Sequence, residues 1–130
     1  MKVMVVKFQL RTSKFVEMTI MDLYSATKIT PNILARIAVS LSISRDPSQP
    51  YESSDRSGKE FNRDTLTGEY DYIYKALIAQ HAGREITDEE YFPSLFNAHL
   101  ERGIKLLSNE YKYAKNTENL VRNLIMYEQG

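Results

Sequence analysis

A mainly α, compact helical domain with one short N-terminal strand is the fold this sequence predicts, on three observations. The stretch Ile29 to Ser44, I-T-P-N-I-L-A-R-I-A-V-S-L-S-I-S, is apolar nearly all round, as a helix inside a fold must be. Further segments with helical period follow, several opened by a capping residue. A strand-like run, V-M-V-V-K-F-Q-L-R at residues 3–11, stands ahead of two helices. With 130 residues, 42% hydrophobic and 26% charged, one domain covering residues 1–130 is expected.

The strand alternates Phe8 and Leu10 with Lys7, Gln9 and Arg11. It is too short to stand alone and needs a partner from elsewhere in the chain or from a second copy. Ser13 caps a helix from about Lys14 to Lys28, with Phe15, Val16, Thr19, Ile20, Leu23 and Ala26 on one face. A turn at Ile29-Thr30 leads into the central helix, where Thr30 is the expected N-cap and Pro31 sits at the first helical position. Ile33, Leu34, Ile37, Ala38 and Leu41 line one side of that helix, and Ala35, Val39 and Ile43 the other. Arg36 is its only charge before Arg45. Unpaired burial would be costly, so it reaches an edge or meets a carboxylate or phosphate.

Strand, helix, tight turn and helix is the order of a ribbon-helix-helix unit, in which paired strands read the major groove. Lys7, Gln9 and Arg11 would then be the readers; a plain edge strand with solvated charges fits the pattern too. Residues 45–60 read as a flexible loop, rich in Ser and Pro, after which Phe61 and Leu66 anchor the chain. Lys59 and Arg63, beside Asn62, Thr65 and Thr67, suit either a phosphate or a set of turns and caps.

Thr67 is expected to cap a helix from Glu69 to Ala82, with Tyr70, Ile73, Tyr74, Leu77, Ile78 and His81 inward and Gly83 as its stop. Thr87 to Glu90 is a capping box, and Pro93 kinks the helix it opens or begins a fresh turn. From Pro93 to Ala114 a broad face carries Leu95, Phe96, His99, Leu100, Gly103, Leu106 and Leu107, with Asn97, Glu101, Arg102 and Lys105 facing away. Gly103 costs roughly 1 kcal/mol against alanine, which makes sense if another backbone passes close. Asn116 or Thr117 caps a last helix with Leu120, Val121, Leu124, Ile125 and Tyr127 inward.

The composition excludes several functions. With no cysteine there is no disulfide frame, thiol chemistry or Cys-ligated zinc. No apolar run approaches the ~20 residues of a membrane span, and the N-terminus lacks a signal-peptide core, so a cytoplasmic protein is expected. Walker, Rossmann and HExxH motifs are absent. His81 and His99 read as core residues with one satisfied hydrogen bond, or a metal pair only if their faces meet. Asp88, Glu89 and Glu90 suit a helix N-terminus as well as a cation. Tyr51, Tyr72 and Tyr113 are the tyrosines freest to stack on bases. No metal and no cofactor is expected. Net charge is zero, yet residues 1–45 hold seven basic side chains against two acidic ones, and the remainder is acidic by the same margin. That asymmetry suits a polyanion surface, or attraction between the two parts.

Three blocks together, T-P-N-I-L-A-R-I-A-V-S-L-S-I (30–43), E-F-N-R-D-T-L-T-G-E-Y-D (60–71) and H-L-E-R-G-I (99–104), resemble the DndE family, the small subunit of the bacterial DNA phosphorothioation system. The resemblance runs from about Lys7 to Leu107, and the middle block is the most specific. It implies a compact helical DNA-binding accessory subunit of the machinery that replaces a phosphate oxygen of DNA with sulfur, with nicks among its targets. The partners it implies are double-stranded DNA, a sulfur-transfer protein and an ATPase, with a homo-oligomer also open. Arg36, Asn62, Arg63, Thr67 and Arg102 are the matching positions of interest.

On this reading Lys7, Arg11, Lys14, Lys28 and Arg36 hold backbone phosphates, joined by Arg63 from the loop. Two alternatives belong to other classes. A DNA nicking endonuclease would use Asp64, Glu69 or Asp71 beside Arg63. A ribbon-helix-helix repressor would require a two-fold dimer.

Overall fold

The computed structural model describes residues 9–126, so Lys7 and the part of the expected strand upstream of Gln9, together with Tyr127, lie outside the described residues. Two three-residue strands and six helices follow in order: β1 (Gln9–Arg11), α1 (Lys14–Thr27), α2 (Pro31–Arg45), β2 (Glu60–Asn62), α3 (Arg63–Leu66), α4 (Asp71–Ala82), α5 (Phe96–Ala114) and α6 (Thr117–Met126). The strand, helix, turn and helix order is as expected. The strand's partner is internal: β1 pairs antiparallel with β2, Leu10 opposite Phe61. Both of those side chains are buried, while Gln9, Arg11, Glu60 and Asn62 are exposed.

Ser13 caps α1 by accepting from the Val16 N–H at 3.1 Å. The helix stops one residue early, because Lys28 turns left-handed (φ 65°) and its N–H closes on the Tyr24 carbonyl. The buried stripe of α1 is Val16, Ile20, Leu23 and Thr27, narrower than expected, leaving Phe15 44% exposed. Thr30 holds the N-cap position of α2, but its hydroxyl makes no cap bond.

α2 is the central element. Leu34, Ala35, Ala38, Val39, Leu41 and Ser42 are buried on several sides of it. It lies against α5, where a Cβ on Gly103 would stand 1.7 Å from the Ala38 carbonyl oxygen. The close backbone approach expected at Gly103 is therefore real, and α2 is the chain that passes.

Residues 46–59 form neither helix nor strand, and their last two residues are bonded to the chain just before α1. The Gly58 N–H donates to Thr12 and the Thr12 N–H to Lys59, both at 2.9 Å. Gly58 lies so close to Ser13 that a Cβ would stand 2.1 Å from its carbonyl oxygen.

The capping box at Thr87–Glu90 closes reciprocally, each bond 3.0 Å. Beyond it a wide turn, broken at the extended Phe92, precedes Pro93, and α5 starts at Phe96. Two apolar faces differ from expectation. In α4 only Ile78 is buried, because few elements pack on it, and Tyr70, just ahead of it, Ile73 and Leu77 stay 39–49% exposed. In α6 Leu120 is buried, while Val121 and Ile125 face outward. Among the described residues no helix is long and apolar enough to cross a membrane.

Candidate nucleic-acid interface

Two of the arginines singled out in the sequence turn out to hold the fold together. Arg63 is buried, its guanidinium forked between Asp71 (3.0 and 2.7 Å) and Asp88 (3.0 and 2.8 Å). It also stacks on Tyr91 and Phe92, 5.1 Å from each ring centroid. Asp71 further accepts from the Thr67 hydroxyl at 2.7 Å and the Tyr91 hydroxyl at 2.9 Å. Burial raises the Asp71 carboxyl, but these donors outweigh it and hold it below the ordinary range. The Arg63 bonds likewise lower Asp88. Thr67 therefore serves this ion pair rather than the capping of α4, and Asn62 caps α3 through its side-chain oxygen on the Asp64 N–H. The most specific sequence block thus contains a buried polar hub, with the Arg63 guanidinium at its centre.

Arg102 is the second such arginine. It was expected to face solvent, yet it donates to the Ser42 hydroxyl at 2.8 Å and to the carbonyls of Ser48 (2.7 Å), Ser42 and Asp46 (both 3.1 Å). It pairs with the Asp46 carboxylate at 3.2 Å. These bonds staple residues 46–48 onto α2. His81 joins the staple, its Nε2 2.6 Å from the Asp46 carbonyl. His99 is fully buried, with Nδ1 2.8 Å from the Ser42 hydroxyl and Nε2 without a partner. Burial, with His81 and Arg102 alongside, pushes His99 down to about 3. The two rings do meet, edge to face at 4.7 Å, but no third metal-ligating group joins them among the described residues. Asn97, also expected outside, is buried and donates to the Arg11 carbonyl at 3.3 Å.

The remaining predicted contacts lie at the surface. Arg11 is half exposed and loosely paired with Glu60 at 3.4 Å. Lys14 pairs with Glu17 at 2.7 Å, which raises its ammonium above the ordinary value. Such exposed pairs are weak and screened by salt, so they cost little to open. Lys28 is exposed at the end of α1 with no carboxylate partner among the described residues. Arg36 is half-buried in an apolar groove of its own, apart from the others. Of the three carboxylates weighed for strand cleavage, Asp71 is bonded to Arg63, and Asp64 and Glu69 are exposed.

A groove of about 670 Å³ runs between α1 and α5. Thr19 and Asp22 of α1 line it, facing Lys105, Ser108, Asn109 and Lys112 of α5. Lys105 and Lys112 are two turns apart, about 10.5 Å along the axis. Both are exposed and lack a carboxylate partner among the described residues. Lys105 lies 5.6 Å from the Phe15 ring, which fixes its stem at one end of the groove. Between the lysines, Ser108 and Asn109 add neutral donors. Lys112 was missed in the sequence, although its seven-residue spacing from Lys105 is visible there. What periodicity cannot show is that this face of α5 adjoins α1.

The family model described as DNA sulphur modification protein DndE matches residues 9–115. Among solved structures, the fold is similar to DndE from Escherichia coli B7A involved in DNA phosphorothioation modification. That match has a TM-score of 0.61 and 23% identity, over 77% of this chain and 97% of the other. It is similar also to the DndE G21/24K mutant involved in DNA phosphorothioation, with a TM-score of 0.58 and 22% identity over 78% and 98% of the two chains. No relative matches among curated protein sequences.

Proposed function

We infer the role from a premise those matches supply: the chain belongs to the DndE family of DNA sulphur modification proteins. Within that system it acts as an accessory subunit that grips the DNA backbone, leaving sulfur transfer and ATP hydrolysis to partner subunits. The observation that carries this reading is the α1–α5 groove, where Lys105 and Lys112, without a carboxylate partner among the described residues, stand beside hydroxyl and amide donors and outnumber the one lining acid, Asp22. Lys14 and Lys28 mark the two ends of α1, and Arg11 stands just before it. Ammonium groups over neutral donors suit phosphate oxygens and carry no base code, so binding should be largely independent of sequence.

The test is fluorescence anisotropy with labelled duplexes of unrelated sequence, intact and nicked. The double variant K105E/K112E should lose at least about ten-fold in affinity, or about 1.4 kcal/mol. Unchanged affinity in that variant would reject the groove. Tighter binding to nicked than intact duplex would identify nicks as the preferred target.

A further inference from the structure

A second groove, of about 650 Å³, lies between α2, α4 and α6. Its walls include Ile33 and Ile37 of α2, Tyr70 and Tyr74 from the α4 side, and Leu124 and Ile125 of α6. Several of these large side chains remain open to water: Ile33 is 41% exposed, Tyr70 49% and Ile125 65%. Among the described residues that line it, Arg36 carries the only charge.

Arg36 differs from every other arginine. The remaining seven, at positions 11, 45, 56, 63, 84, 102 and 122, each pair with a carboxylate. Arg36 is half-buried and has neither an ion pair nor a side-chain hydrogen bond among the described residues. A guanidinium set among apolar side chains calls for a carboxylate of matching fork geometry.

We propose that this groove docks an amphipathic helix of another protein, one that carries a carboxylate amid apolar side chains. The apolar walls fit the helix-in-groove mode, in which side chains at i, i+3 or i+4, and i+7 enter together. Arg36 fixes the register by pairing with the acid.

Two other occupants fit less well. A duplex backbone would meet one cation and little else that is polar. The hydroxyls of Ser40 and Ser44 donate back to the Arg36 and Leu41 carbonyls of their own helix. A second copy placed groove on groove would bring Arg36 against Arg36 with no lining carboxylate to neutralise either. The wall from α6 also lies beyond the family-matched residues, which end at 115, so this chain's own C-terminal helix completes the site.

The probe is a labelled helical peptide with leucines at i, i+3 and i+7 and one glutamate on the same face, titrated into the full chain. Saturable binding is expected, weakened about ten-fold or more when the peptide glutamate becomes glutamine. Arg36→Glu should abolish binding, and a lysine-bearing peptide should restore it to that variant. Arg36→Gln serves as the milder variant, with thermal melts confirming that both fold. Absence of saturation, or equal binding by wild type and R36Q, would overturn the proposal. So would competition by duplex DNA that is lost in R36Q, which would assign the groove to phosphate. Sedimentation showing a wild-type dimer that R36Q dissociates would assign it to a second copy instead.

Discussion

Buried charge at Arg63 and buried neutrality at His99 are opposite solutions to one problem. Arg63 stays charged because two carboxylates and two aromatic faces replace its water. Truncating it would strand Asp71, whose remaining donors are two hydroxyls. R63A should therefore lose about 3 kcal/mol or more of stability in urea titrations, while exposed R122A should lose almost none. His99 takes the other course and stays neutral, held at about 3 by burial beside His81 and Arg102. A histidine depressed on folding contributes stability that is whole above its unfolded value near 6.5 and falls as pH drops toward the folded value. The slope is about 1.4 kcal/mol per pH unit for the single proton involved. Asp71 and Asp88, also held below their ordinary range, lose their contribution only at more acid pH, as does Glu90 at about 2. Urea midpoints between about pH 6.5 and 4.5 thus isolate the histidine. His99→Asn should keep an acceptor for Ser42 and flatten the slope; an unchanged slope would move its origin elsewhere.

Helix on helix, the fold turns on one glycine. Alanine in place of glycine in an exposed helix interior adds about 1 kcal/mol of stability. At Gly103 the new methyl would meet the Ala38 carbonyl at 1.7 Å, and that neighbour is backbone. α2 and α5 would have to separate, so G103A should lower stability by about 2 kcal/mol, the reverse of the propensity effect. The same position shows what local chemistry can reveal. An apolar face interrupted by glycine announces a close approach, but only the folded chain names α2 as the partner. Ser13, Gly83 and the Thr87–Glu90 box were legible for the same reason, since each acts within four residues. β2 was not, because only Phe61 marks it as apolar and its partner lies about fifty positions away. In α4 a helical apolar row was legible, yet its burial depends on neighbours, and most of the row remains open. Arg63 and Arg102 were visible as positions of interest; that they brace the fold depends on carboxylates and carbonyls brought in from other elements.

Across the whole molecule, charge is redistributed relative to the chain. The basic surplus lies in residues 1–45 of the sequence, yet the groove beside α1 gains Lys105 and Lys112 from the acidic remainder. Meanwhile Arg45 and Arg63, both removed from the surface, pair with Glu110 and with Asp71 and Asp88. A chain with zero net charge has no net monopole to draw DNA from afar, so the proposed binding would come from local contacts within a Debye length of about 10 Å at 0.1 M salt. If Lys14, Lys28, Lys105 and Lys112 each neutralise one phosphate, log Kobs against log salt should fall with a slope of about −3.6. K105E/K112E should flatten it to about −1.8 or less, whereas R36Q should leave it unchanged, because that side chain stands in an apolar groove away from α1 and α5. A slope near zero in the wild type would mean that contacts other than these four lysines hold the DNA. A slope that drops by about one in R36Q would place a phosphate on Arg36 and join the two grooves into one nucleic-acid face.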